Sequence, residues 1–246
     1  MMDIEEIKKQ KIVLLPIIMG ICLIISAAIW SSSYYNKDAS NSLSVTGSAS
    51  KDVIADNAKF SGNFARTVRV SNLKGGYDQM TLDLNIVKAF LKAQGIDEKD
   101  VIISNVSMNE NYKYNQNDNS EKEYTLNQQV EVSSPDVNKI TDLAKKTQDI
   151  INKGVIFSTN AVEYYYTKLP ELRVSLLSDA IKDAKARASK MAEATGKKVG
   201  NLKSAASGVV QVLSANSLNV SDYGTYDTSK INKTVMVTVR AAFGLK

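Results

Sequence analysis

The sequence predicts an α+β domain held outside the cell on a single transmembrane helix, and three observations predict it. Residues 12–30, IVLLPIIMGICLIISAAIW, carry no charge. Residues 58–166 alternate between period-2 and period-3.6 hydrophobic patterns in the order β-α-β-β-α-β. After Pro170 comes a long helical pattern, followed by two strand-like runs.

The apolar run at 12–30 would span roughly 28 Å as a helix, close to the thickness of a bilayer core. Lys8, Lys9 and Lys11 precede it, and only Lys37 is basic in the stretch after it. The positive-inside rule then places 1–11 in the cytoplasm and everything after 30 outside. Trp30, Tyr34 and Tyr35 suit the far interface. Pro16 falls in the first turns, where a missing N–H does least harm. Ser26-Ala27-Ala28 offers a small-residue cleavage site. A cleaved signal has a shorter apolar region, however, so the run favours a retained anchor. Cys22 follows Ile21 rather than a small residue, which argues against a lipoprotein. The expected location is a bacterial inner membrane, with the domain periplasmic or extracellular.

Residues 31–42 are a polar linker, and 43–246 form the exported domain. LSVTGS places Leu43, Val45 and Gly47 on one face of a first strand. Ala58–Val70 is the second strand, and Gly62 within it suggests a bulge or bend. Gly75-Gly76 reads as the turn that ends this strand. Met80, Leu84, Val87 and Leu91 then follow helical spacing up to a Gly95 cap. Val101–Val106 is a strand whose alternation continues through Tyr112 and Tyr114. NQNDNSEKE is a polar hairpin tip, and Tyr124–Val132 is the return strand. Ser134-Pro135-Asp136 starts a helix with Val137, Ile140, Leu143, Ala144, Thr147 and Ile151 on one side and Gly154 at its end. Val155–Tyr166 is the next strand. This order is a split βαβ arrangement, an antiparallel sheet with two helices on one face. The first strand, the long helix and the strands near Asn201–Leu213 and Thr234–Phe243 extend it or form a second lobe. A long polar loop, 214–232, separates the last two strands.

The long helix contains SDAIKDAKARASKMAEATGKKVG, residues 178–200. Leu172, Leu176, Ala180, Ala184, Ala188, Met191 and Thr195 form one stripe, widened by Leu177, Ile181 and Ala192. Alanines in its middle imply close packing. The charged residues lie off the stripe, and Asp183 and Arg187 have the favourable i,i+4 order, worth roughly 0.2–0.5 kcal/mol. Gly196 serves as the cap. This reads as a packing helix rather than a catalytic one.

Composition narrows the function classes. The net charge of +5 lies wholly outside the first thirty residues, where three lysines meet three acids. The basic residues are interspersed with acids rather than clustered, so no nucleic-acid partner is expected. The chain has no histidine, and thus lacks the commonest general base and metal ligand. A single cysteine excludes an intramolecular disulfide, a thiolate zinc site and dithiol redox chemistry.

The stretch 164–202 resembles the signature helix of the SIMPL-domain family of exported bacterial proteins. The matching positions are Asp183, Ala184, Arg187, Ala188, Ala192, Gly196 and Gly200. LSVTGSASKDVIAD resembles the family's opening strand through Val45, Gly47 and Asp56. DYGTYDTSKINKTVMVTVRAAF resembles its membrane-anchored branch. The resemblance covers about residues 43–245. It implies an extracytoplasmic α+β domain in a family where some members form ring- or channel-like homo-oligomers and others are linked to oxidative or envelope stress. It implies no catalytic residues.

Other motifs carry little chemistry. Asn115, Asn117, Asn119 and Glu121 have calcium-loop spacing, but Ser120 replaces the glycine and Leu126 the final Glu. Asp78 and Asp83 lie near a helix start, where acids favour the dipole. Asn105, Asn219 and Asn232 begin Asn-x-Ser/Thr triplets. Tyr164, Tyr165 and Tyr166 read as core and rim of a strand. The expected function is a non-enzymatic, self-associating envelope scaffold or stress-related module without cofactor. The alternative is a binding module for a small envelope ligand or wall polymer, resting on the tyrosines and polar loops.

Overall fold

A computed structural model describes residues 18–31, 42–112, 121–215, 217 and 220–246. Lys8, Lys9, Lys11, Pro16, residues 32–41, Tyr114, Asn115, Asn117, Asn119, Asn219 and most of the hairpin tip lie outside the described residues.

Helix α1 covers 18–31, about 21 Å, and includes the last part of the apolar run. No helix among the described residues is long and apolar enough to cross a membrane. The remaining elements are β1 (Ser42–Ile54), β2 (Asn57–Arg69), α2 (Leu73–Ala93), β3 (Val101–Ile103), β4 (Ser107–Asn111), β5 (Glu123–Ser134), α3 (Val137–Lys145), α4 (Gln148–Ile151), β6 (Phe157–Thr159), β7 (Glu163–Tyr165), α5 (Leu169–Glu193), β8 (Val199–Ser214) and β9 (Asn232–Leu245).

The chain divides into two compact units. One comprises Ser48–Asp183 and Ser207–Val239; the other comprises Met1–Gly47, Ala184–Ala206 and Arg240–Lys246. Strands β1, β8 and β9 form a three-stranded sheet in the order β1-β9-β8. They and α5 contribute residues to both units.

In the larger unit, β3-β5-β2-β6 are adjacent in a six-stranded sheet, with β4 also on β5 and β7 also on β2. Every one of these pairings is antiparallel. This is the predicted split βαβ order, with its outer strands each broken in two. Alternation sets the inward face: Ala58, Phe60, Gly62 and Phe64 of β2 are buried, as are Leu126, Gln128, Val130 and Val132 of β5. Phe60 pairs with Val132 and Phe64 with Gln128, so the two inward faces coincide. Helices α2 and α3 pack on β2 and β5, adding Met80, Val87, Phe90, Leu91, Ile140 and Leu143 to one core.

Four sequence expectations are corrected in this unit. Gly62 makes no bulge, since the β2–β5 register is unbroken. A Cβ there would overlap the Phe157 ring, so the glycine makes room for the neighbouring strand. Gly75-Gly76 is not a turn but part of the first turns of α2. A Cβ on Gly76 would lie 2.7 Å from Val68 and 3.0 Å from Leu126, so glycine permits close contact between helix and sheet. Val101–Val106 is not continuous. The ladder breaks after β3, where Ser104 Oγ accepts the Gln129 N–H at 2.9 Å. Ile151 is exposed and Ile150 buried, because the helix breaks after Lys145 and its register shifts. The Asp136 cap does form, accepting the Lys139 N–H at 3.0 Å.

A second apolar cluster in the same unit joins Leu172 and Leu176 of α5 to Val212 of β8 and to Val235 and Val237 of β9. In the smaller unit Val45, Gly47, Ala184, Ala188, Ala192, Ala241 and Phe243 are buried. Met191 is 51% exposed and Thr195 is also exposed, against the predicted stripe. The buried row is strictly i+4, from Leu172 to Ala192. Each such step turns about 40° on a 3.6-residue helix, so the row winds past Met191. Gly95, Gly154 and Gly196 take φ of +74°, +85° and +71°, the left-handed conformation expected of glycine at a helix end.

Candidate functional site

The residues with the most distinctive environment lie where the loop before β9 meets β7 and β8, all within the larger unit. Loop residues 225–231 are tied down by main-chain hydrogen bonds. Val212 N donates to Thr225 O (2.7 Å), Asp227 N to Val212 O (2.8 Å), Tyr164 N to Thr228 O (2.8 Å) and Ala55 N to Ile231 O (2.9 Å). The polar composition that marked 214–232 as a loop thus hides a segment that pairs with three strands or strand ends.

Lys233 sits at a core position of β9, in the row of Val235 and Val237, and is 0% exposed. Its ammonium lies 5.7 Å from the centre of the Tyr226 ring and donates to the Asp227 carbonyl. A buried ammonium is costly without such partners. Burial pushes its pKa down, and the Asp227 carboxylate opposes that shift. The side chain is enclosed and engaged, so it acts as an internal tether for the loop.

Tyr226 also stacks on Tyr165, with centroids 5.9 Å apart and rings tilted by 35°. Its hydroxyl accepts the Tyr166 N–H at 2.8 Å. Burial raises the Tyr165 pKa, aided by its hydrogen bond to Glu163 at 2.9 Å. Glu163 in turn bonds Lys59 at 3.0 Å, which lowers the carboxyl and raises the amine. The tyrosine run therefore divides its roles. Tyr164 enters the first core and shares a hydrogen bond with Thr141, Tyr165 faces Tyr226, and Tyr166 packs against the second cluster.

Asp227 holds the loop's shape. Its carboxylate accepts from Ser229 Oγ and Ser229 N, each at 2.7 Å. The hydroxyl first and the N–H second lower its pKa from 3.8 to about 2. A depressed carboxyl stabilises the fold above its unfolded pKa, and that contribution is lost as pH falls from about 4 through about 2. After discounting for solvent, the effect should be ~1–2 kcal/mol. Urea unfolding at neutral pH and near the lower limit should therefore show a smaller acid loss in Asp227→Asn than in the parent. An equal loss in both would remove this role.

Beside this network lies a cleft of ≈ 460 Å³, lined by Tyr164, Ser214, Ala215, Ser229, Lys230, Ile231 and Asn232. Hydroxyls, an amide and one ammonium surround an apolar patch, a set suited to hydrogen-bonding a polar ligand. Among the described residues no group of three or more acids, cysteines or histidines is placed to hold a metal ion.

The structure separates the sequence-selected residues. Asp56 accepts from the Thr167 N–H (2.7 Å) and hydroxyl (2.9 Å), just before α5. Asp183 accepts the Ser48 N–H at 2.8 Å, fastening α5 to β1. Val45, Gly47, Ala184, Ala188 and Ala192 are buried, while Arg187 is exposed. Gly196 caps α5, and a Cβ on Gly200 would lie 3.1 Å from the Gly244 carbonyl oxygen. None of these residues lines the cleft. Asn105 and Asn232 are exposed. Sequence reasoning missed Lys233, Tyr226 and Asp227, although a lysine in phase with alternating valines was a readable signal for the first.

The family model that matches the chain covers residues 43–243 and is SIMPL, described as "Protein of unknown function (DUF541)". No curated protein matches the chain significantly.

Proposed function

The chain belongs to the SIMPL family, whose function is unknown, and from that premise we propose that it is a membrane-anchored, non-enzymatic protein of the bacterial cell envelope. The observation that carries this reading is α1. Ile18, Met19, Ile21, Leu23, Ile24, Ile25, Ile29 and Trp30 are each more than half exposed, and they surround the helix. A helix that is apolar all round needs an apolar environment. The uncharged run reaches back to Ile12 in the sequence. The test is alkaline extraction of membranes with protease digestion of spheroplasts. The chain should stay with the membrane, keep its N-terminus and lose its domain to protease. Recovery as a soluble chain cleaved near Ala28 would overturn the anchor.

Self-association is the second part of the proposal. Strand β8 is an outer strand of its sheet, and Asn201–Ser207 are exposed at every position. Outer strands of this kind favour strand-to-strand association. A monomeric mass by light scattering in detergent would end this part.

The cleft favours a second reading, the binding of a small polar envelope ligand or wall-polymer unit. A ligand that fits should raise the unfolding temperature, and by more as its concentration rises above its Kd. No shift across wall fragments would remove that reading.

A further inference from the structure

A different surface of the larger unit carries features of a peptide site. Strand β3 pairs with β5 alone among the described residues, so its other edge is open there. The C-terminal half of α2 runs beside it, and between them lies a cleft of ≈ 170 Å³. Leu91, Ile96, Val101 and Ile103 supply its apolar lining, with Lys88, Lys92 and Glu98 alongside. Ile102 points the other way and is 66% exposed. This surface shares no residue with the cleft beside Lys233.

Three features select an occupant. An open strand edge beside a helix accepts an extended chain through main-chain hydrogen bonds, and alternate side chains of the added strand then face the groove. The apolar lining takes one large aliphatic or aromatic side chain. The side chains of Lys88 and Lys92 are exposed, one helical turn apart, and make no ion pair or hydrogen bond among the described residues. Like charges at i,i+4 cost the helix about 0.2–0.5 kcal/mol. Facing carboxylates would remove that repulsion. Among the described residues that line the cleft, Glu98 alone offsets the two charges.

We infer that the α2–β3 groove binds a short extended segment of another protein, by strand addition to Val101–Ile103. That segment carries an apolar residue flanked two positions away on each side by carboxylates. Residues at such spacing share one face of a strand. The apolar residue would enter the cleft while the acids meet Lys88 and Lys92. The interruption at Ser104 limits the usable edge, so recognition rests on a few residues and is reversible.

The experiment uses the full chain in detergent and a fluorescent peptide, acetyl-TETLTET-amide, with Phe and Trp versions at the centre. Anisotropy should report saturable binding that weakens with salt. Replacing both peptide acids by Lys, or methylating its backbone nitrogens at alternate positions, should weaken binding at least tenfold. Lys88→Glu with Lys92→Glu should abolish binding of the acidic peptide, leave urea unfolding nearly unchanged and transfer preference to the Lys peptide. That exchange separates recognition from misfolding. Absence of saturable binding by all three central residues would overturn the inference. So would equal binding of the acidic and basic peptides. A halving of the particle mass as peptide is added would also overturn it, by assigning the groove to a second copy of the chain.

Discussion

Asp83→Ala is expected to destabilise the larger unit by about 3–5 kcal/mol. Asp83 is 0% exposed, and its carboxylate grips Arg66 with two hydrogen bonds, at 2.6 Å to Nε and 2.8 Å to Nη2. Gln79 adds a third at 3.2 Å, and Arg66 also donates to the Gly154 carbonyl at 2.9 Å. The alanine variant would strand a partly buried guanidinium under a core helix. At about 2–4 °C per kcal/mol for a chain of this size, the unfolding temperature should fall by about 10 °C. The double variant Arg66→Met with Asp83→Leu should regain most of the loss, because it removes both charges together. Calorimetry of the parent and the two variants decides this. A loss under 1 kcal/mol for Asp83→Ala would show that the pair is not a structural tie.

Ala188→Leu is expected to cost the smaller unit about 2–3 kcal/mol or more, while Ala186→Leu should stay within about 0.5 kcal/mol. The two substitutions are chemically identical and two residues apart on α5. Ala188 is fully buried in the i+4 row and Ala186 is exposed. The extra atoms at 188 have no space unless the helix moves away from its neighbours. Chemical unfolding of both variants tests the claim, and equal effects would refute it. The pairing also separates packing from helix propensity, since both positions lose the same alanine.

The two predictions differ in how well the sequence foretold them. The alanine row was legible because a period near 3.6 dictates which residues share a helix face. Its course past Met191 was not, since the sequence does not state whether i+3 or i+4 neighbours meet the partner. The sequence places Asp83 near a helix start, but α2 begins at Leu73 and Asp83 is its eleventh residue. It lies three residues after Met80 and four before Val87, both buried, so its place on the apolar face was visible. Its partner Arg66 was not, because that pairing depends on β2 and α2 packing together. The site around Lys233 was still less legible. Tyr165 is far in the chain from Tyr226 and Lys233, and the loop that brings them together has the composition of a solvated connection.

By itself the sequence determined the α+β class, the split βαβ order, most of the strands and helices, the glycine helix ends and the family. Each follows from local periodicity, from backbone preferences or from motifs that lie together in the chain. Tertiary structure alone decided that Gly62 and Gly76 make room rather than turn the chain. It also decided that the edge strand breaks at Ser104, that Asp83 is a buried ion-pair partner and that Lys233 is enclosed by Tyr226 and Asp227. The physical reason is common to all of these. Each depends on the shape or charge of a neighbour brought up by packing, most of them distant in sequence and, for Lys233, a loop whose path the strands on either side set, and no local pattern records which neighbour will arrive.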